Sequence, residues 1–243
     1  MEQSVGLFVT VFTFSVVQSL FGVGLLVFGT PTLLLLGYTF EATIALLLPC
    51  SLSISLMQTW SGRRHLSEMR SGILIYCVPM IVVGLTLVLS KLAAFDVKLL
   101  VGLALVFSAG TRYYQRLHRA LAGLLAKYTK LYLVFMGFIH GISNMGGGFL
   151  TIFVTTVHDD KEHIRANIAY GYLVFALSQI AVLFVLRPQV FNVAGLSLIA
   201  IAALTYLTAG RFVYLRSTRA VYQHLITAFM VAYGFVLIGQ KLL

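Results

Sequence analysis

Long stretches almost free of charged side chains recur from one end of the chain to the other. They run roughly over 5–36, 40–60, 72–90, 98–111, 131–157, 166–186, 194–210 and 221–240. A helix rises ~1.5 Å per residue and the bilayer core is ~30 Å thick, so ~20 such residues span it. The whole chain is 60% hydrophobic and 10% charged, with a mean hydropathy of +0.97. A soluble domain is about half apolar and a quarter charged, so too little polar surface exists here to cover a water-soluble globule. The expected fold is all-α: a polytopic membrane protein of about eight transmembrane helices. Secreted disulfide scaffolds, nucleotide-fold enzymes and nucleic-acid binders are excluded.

The charge follows the same logic. A net +10 on a soluble protein would point to nucleic acid. Here the basic residues sit in short breaks between apolar runs, where positive-inside topology and anionic lipid headgroups account for them. The expected partners are therefore membrane lipids and a small solute, with no nucleic acid. The longest break, 112–130, carries Arg112, Arg116, Arg119, Lys127 and Lys130 and is expected on the cytoplasmic side. Its Leu117, Leu121, Leu124 and Tyr128 suit an amphipathic helix lying in the interface. With eight simple spans the basic residues divide almost evenly between the two sides, and a slight excess puts both termini in the cytoplasm. A re-entrant first segment would reverse the N-terminus. The start, Met1-Glu2-Gln3-Ser4, has no basic n-region, so the first run is expected to stay in the membrane. Cys50 and Cys77 each lie inside an apolar run without a second thiol at metal-ligand spacing.

Two runs are longer than a span requires, and both contain helix interrupters. The first holds Gly22-Val23-Gly24 and then Gly29-Thr30-Pro31; the fifth, 131–157, holds Gly146-Gly147-Gly148. Each is expected to be a broken helix or a helix with a re-entrant segment. A shift of 124 residues lays Phe14, Ser19, Gly22, Gly24 and Leu26 on Phe138, Ser143, Gly146, Gly148 and Leu150, and Ala42-Thr43-Ile44-Ala45 on Ala166-Asn167-Ile168-Ala169. The chain is thus expected to be two four-helix repeats, 1–123 and 124–243, forming one membrane domain, each beginning with a broken helix. Secondary transporters are often built this way, with the substrate site where the broken helices meet near the midplane. Four spans per half imply parallel repeats; re-entrant segments would allow inverted ones.

These residues resemble the TauE/SafE family of sulfite and organosulfonate exporters. The likeness rests on Gly22-Val23-Gly24-Leu25-Leu26 with Pro31 downstream, on Asn144-Met145-Gly146-Gly147-Gly148-Phe149-Leu150, and on the Ala42-Thr43 and Ala166-Asn167 pairs. It covers the whole chain. Val23 replaces a family glycine, Thr155 stands where a second proline would match Pro31, and His140 occupies a commonly apolar position. The resemblance implies a transporter of a small sulfur-containing anion in a bacterial inner membrane, and not an enzyme.

A buried anion needs donors, and glycines at a helix start let backbone N–H groups reach it. The candidate substrate-binding residues are accordingly Gly22, Gly24, Gly146, Gly147 and Gly148, with the polar side chains around them. Those are Ser19, Ser143 and Asn144 at the breaks, Thr43 and Ser51 on the second span, and Asn167 and Gln179 on the sixth. Close helix packing and interhelical hydrogen bonding compete with ligand contact as the role of each. His140, the ionisable side chain inside a span, and Glu41, at the start of the second span, are candidates for proton or cation coupling. No cofactor is expected. His158-Asp159-Asp160-Lys161-Glu162-His163 reads as a solvated loop rather than a metal site. Neither a Walker loop nor an HExxH or GxSxG motif occurs.

The leading expectation is alternating-access transport between the halves. An intramembrane hydrolase using Ser143 and His140 is the enzymatic alternative, to be tested by serine-reactive probes. A sensor or accessory subunit acting through the basic 112–130 loop is the third, to be tested by co-purification.

Overall fold

The computed structural model describes residues 2–90, 96–158, 160–191, 194–210, 212 and 231–239. Among the described residues no strand occurs. Helix α1 runs Glu2–Phe21 and α2 Leu25–Leu35, followed by α3 Phe40–Ser61. A short α4, Met69–Gly72, passes through a π turn at Ile73–Cys77 into α5, Val78–Leu89, making one rod of 21 residues. Then come α6 Val97–Tyr113, α7 Gln115–Lys127, α8 Thr129–Ser143, α9 Gly147–Val157 and α10 Lys161–Leu186. Helix α11, Ala194–Thr205, ends in a second π turn, and residues 231–239 are helical. The rods Phe40–Ser61, Met69–Leu89 and Lys161–Leu186 are each long and apolar enough to cross a bilayer alone. The ends of the long helices are fixed by caps: Thr39 accepts from the Ala42 N–H at the start of α3, and Asp160 from the Glu162 and His163 N–H groups at α10.

At both interrupted runs the chain turns back rather than merely kinking. Gly6, early in α1, faces Leu36, just past the end of α2, and the rings of Phe14 and Phe28 meet at 5.6 Å. In the second half Tyr132, early in α8, packs on Phe149 and Phe153 of α9 and donates its hydroxyl to Phe149 O at 2.8 Å. Each pair is therefore a helical hairpin with a short return arm of 11 residues, about half a bilayer core. A left-handed residue closes the first arm of each: Gly22 at φ 72° and Asn144 at φ 62°. Their N–H groups donate to Gln18 O and His140 O.

Phe21 and Ser143 end the outgoing arms, Leu25 and Gly147 begin the return arms, and Leu35 and Val157 end them, a separation of 122 residues throughout. That is two fewer than the shift that best aligns side chains. Matching glycine with glycine pairs Gly22 with Gly146, whereas the structural counterpart of Gly22 is Asn144, the commonest substitute for glycine in a left-handed cap.

The core lies between the halves. Helix α3 packs most extensively on α10, and the two run antiparallel: Gly62 abuts Ala166 at one end, while Glu41 meets Arg187 at 3.5 Å at the other. Helix α5 packs on α8 and α10; α11 packs on α1 and α3. Helix α7 turns by 112° from α8, as an interfacial helix would. The division expected at 123/124 falls inside α7.

Candidate functional site

The two hairpin turns are braced in the same way by different residues. At the first, the buried Gln18 side chain accepts from the Leu25 N–H across the break at 3.3 Å, and donates to Ser51 Oγ and Ser55 Oγ of α3 at 3.0 and 3.1 Å. At the second, His140 Nδ1 accepts from the Gly146 N–H across the break at 3.2 Å, while Nε2 meets Gln179 Oε1 of α10 at 3.1 Å. Since Nδ1 accepts, the proton must lie on Nε2, so the ring is neutral and donates to Gln179. Gln179 Nε2 returns a bond to His140 O at 3.3 Å. On the first hairpin Gln58 Nε2 caps Gln18 O and Ser19 O, and Arg165 Nη2 reaches Ser19 O at 2.8 Å. Helix ends inside an apolar bundle carry unpaired carbonyls and N–H groups, and these side chains pair several of them.

The two return arms meet at their N-terminal ends. Gly147, the first residue of α9, faces Val27, the third of α2, and also the Tyr172 hydroxyl of α10. Gly148 faces the Ser108 hydroxyl of α6. Asn144 Nδ2 donates to Thr30 Oγ1 of α2 at 2.8 Å, and its buried Oδ1 has no hydrogen-bond partner among the described residues. The start of α9 thus has no side-chain cap of its own but is ringed by two hydroxyls and an amide. The macrodipoles of α2 and α9 bring partial positive charge to this one place.

The expected site residues divide accordingly. Gly146, Gly147, Gly148 and Asn144 sit together at the second turn, with Gly24 and Gly22 at the first. A Cβ on Gly24 would press on Gln18 N, and one on Gly22 would meet Arg165 O and the start of α10. Ser51 and Gln179 belong to the braces. Ser19 donates to Ser15 O and Ser143 to Ile139 O, both within their own helix. Thr43 Oγ1 is buried without a hydrogen-bond partner among the described residues. Asn167 lies elsewhere, tied into the 65–67 turn: its Oδ1 accepts from Ser67, and its Nδ2 donates to His65 O and His163 O. Glu41 pairs with Arg187 across the halves. Ser143 and His140 are each bonded to other partners, so the Ser–His couple that a hydrolase needs is not made. Thr30 and Tyr172 lie on helices that the sequence reading does bring to the site, though it singles out neither residue as a ligand, and Ser108 comes from α6, which it does not. Their only signal in the sequence is a hydroxyl within an apolar run.

An all-α bundle in which two half-helices turn back and present their N-termini to each other has the build of a membrane transporter. The chain belongs to the sulfite exporter TauE/SafE family, whose model matches residues 7–237. No curated protein and no solved structure matches it. The family assignment makes this a membrane transporter rather than an enzyme, with a small anion as its class of solute.

Proposed function

We propose that the chain exports sulfite or a small organosulfonate across a bacterial inner membrane by alternating access between two inverted repeats. The observation that carries this is the meeting of the α2 and α9 N-termini, Val27 against Gly147, inside the bundle. An oxyanion held there would take backbone N–H bonds from the Gly147–Gly148 turn and hydroxyl bonds from Tyr172 and Ser108. A half-turn of the Asn144 amide, with the Thr30 hydroxyl donating to its oxygen, would aim the NH₂ at the same ligand. Gly22 and Gly24, with Ser19, Thr43 and Ser51 behind them, form the corresponding surface of the first hairpin.

The antiparallel run of α3 and α10 supports inversion. If each hairpin re-enters, each half makes three crossings and the second half starts from the side opposite the first. Glu41, paired with Arg187 between the halves, and His140, at the second turn, are the residues proposed to couple a proton or cation to transport. The Glu41–Arg187 pair would break and re-form as the halves move.

Flux of labelled sulfite and a panel of small sulfonates into proteoliposomes, with and without a pH gradient, tests the reading. Saturable flux that is lost in Asn144→Leu and Gly147→Leu is the expected result. A folded, reconstituted protein that moves none of the panel would exclude the sulfur-anion assignment.

A further inference from the structure

A cluster of imidazoles lies at the opposite end of α10 from the Glu41–Arg187 pair. His65, in the turn after α3, comes together with Asp160 and His163 at the start of α10, and their ligand atoms all lie within 4.8 Å of one another. The His65 and His163 rings meet edge to face at 4.9 Å, and His163 Nδ1 is 3.0 Å from Asp160 Oδ2. His158 stacks on His163 at 5.5 Å, with a buried Nε2 that has no hydrogen-bond partner among the described residues.

The grouping is held in place rather than accidental. A single amide, Asn167 Nδ2, bonds His65 O at 2.9 Å and His163 O at 2.8 Å, so the backbones of two of the three residues are fastened to one point. Asn167 Oδ1 fixes the same turn through the Ser67 N–H and hydroxyl. Asp160 is itself anchored, since Oδ2 caps α10. Ligands sharing a tetrahedral ion at ~2.0–2.1 Å stand a little over 3 Å apart, and the ligand atoms here lie within 4.8 Å of one another. Two imidazoles and a carboxylate suit zinc and its neighbours, not calcium or magnesium, which take oxygen ligands.

We propose that His65, Asp160 and His163 form a site for a divalent transition metal of the zinc type, with water as fourth ligand, joining the two halves of the molecule. His65 comes from the first half; Asp160 and His163 come from the second. Asn167 serves as a positioning residue for the site, a role different from substrate contact. An ion there would tie the turn after α3 to the start of α10. If the halves move during transport, a consequence that rests on the function proposed above, the bound ion slows them.

Binding is read separately from flux. The detergent-purified full chain is titrated with Zn²⁺ against a chromophoric chelator, and with Co²⁺ for its visible absorption. The expected result is one saturable ion per chain, with a Co²⁺ spectrum of tetrahedral intensity. His65→Gln and His163→Gln should weaken binding by at least about tenfold. Asp160→Asn keeps a helix cap while removing the charge, so it should do the same without unfolding the protein. Asn167→Ala should weaken binding by roughly 10–100-fold. His158→Gln should leave the stoichiometry intact. No saturable binding by the folded parent, or binding unchanged in the His65→Gln/His163→Gln double variant, overturns the site. Loss of sulfite flux has no bearing on either outcome.

Discussion

A methyl group added at Gly147 has nowhere to go: it would overlap the Tyr172 hydroxyl and press on Val27. Overpacking of this kind costs ~1–3 kcal/mol. Gly147→Ala should therefore lower the unfolding midpoint in detergent and abolish flux. Adding Tyr172→Phe, which removes the nearest obstructing atom but leaves the ring Cζ at 2.7 Å, should recover part of the stability. A Gly147→Ala protein as stable as the parent would show that the helices are not this close. Gln179 makes a different point, because its partner is the fully buried His140. Gln179→Leu strands the Nε2–H in an apolar interior, and an unpaired buried donor costs ~1–3 kcal/mol. The stability loss should appear in thermal unfolding, and Gln179→Glu, which keeps an acceptor, should lose less. Sequence pattern points to Asn144 and Gly146–Gly148 because three consecutive glycines weaken a helix, and a charge-free run keeps them only where the backbone must open or approach a neighbour. It cannot point to Thr30, Ser108 or Tyr172, since which hydroxyl faces Gly147 is decided by helices packing from distant parts of the chain.

At the scale of the element, close backbone packing places the hairpins more than hydropathy does. Helix α8 carries Gly137 and Gly141 on one side, facing Cys77 and Ile81 backbone atoms of the α4–α5 rod, while Gly84 of α5 faces Phe138 O. Small residues four apart allow this approach, and Cys77, which faces Gly137, is the last residue of the rod's π turn. Gly141→Ala would put a Cβ 2.6 Å from Ile81 O, forcing α8 away from α5 and dragging the second turn with it. Lower thermal stability and lost flux are expected together. Gly123, in α7, has no atom of the described residues within 4 Å of its would-be Cβ, so Gly123→Ala should be neutral or stabilise by ~0.5–1 kcal/mol. The apolar runs locate these helices well, but hydropathy reports depth in the bilayer and carries no direction. A hairpin and a kinked span of equal length look alike to it. The reversal shows only in pairs such as Gly6 with Leu36 and Tyr132 with Phe149, which no local pattern encodes.

Direction matters most for the whole molecule, because it decides which loops share a side. Eight simple spans would put the α6–α7 joint and the turn after α10 on the same face, since two further spans separate them. A re-entrant second hairpin removes one crossing, and the two then lie on opposite faces. The basic residues favour the second arrangement. Arg63, Arg64 and Arg70 after α3, and Arg116, Arg119, Lys127 and Lys130 around α7, then join Lys161 and Arg165 at the start of α10. Of the described basic residues, Lys98 and Arg187 remain opposite. Over the same residues eight simple spans would leave Lys98, Lys161 and Arg165 opposite the rest, so the re-entrant arrangement gives the stronger bias expected of a cytoplasmic face. Cysteine labelling decides between them. Tyr114 and Gln189 are both exposed, while the native Cys50 and Cys77 are buried and give little background. In intact cells a membrane-impermeant maleimide should label Gln189→Cys and not Tyr114→Cys, which should react only after permeabilisation. Labelling of both from one side would restore eight simple spans and parallel halves, and with them would go the reason for α3 and α10 to run antiparallel.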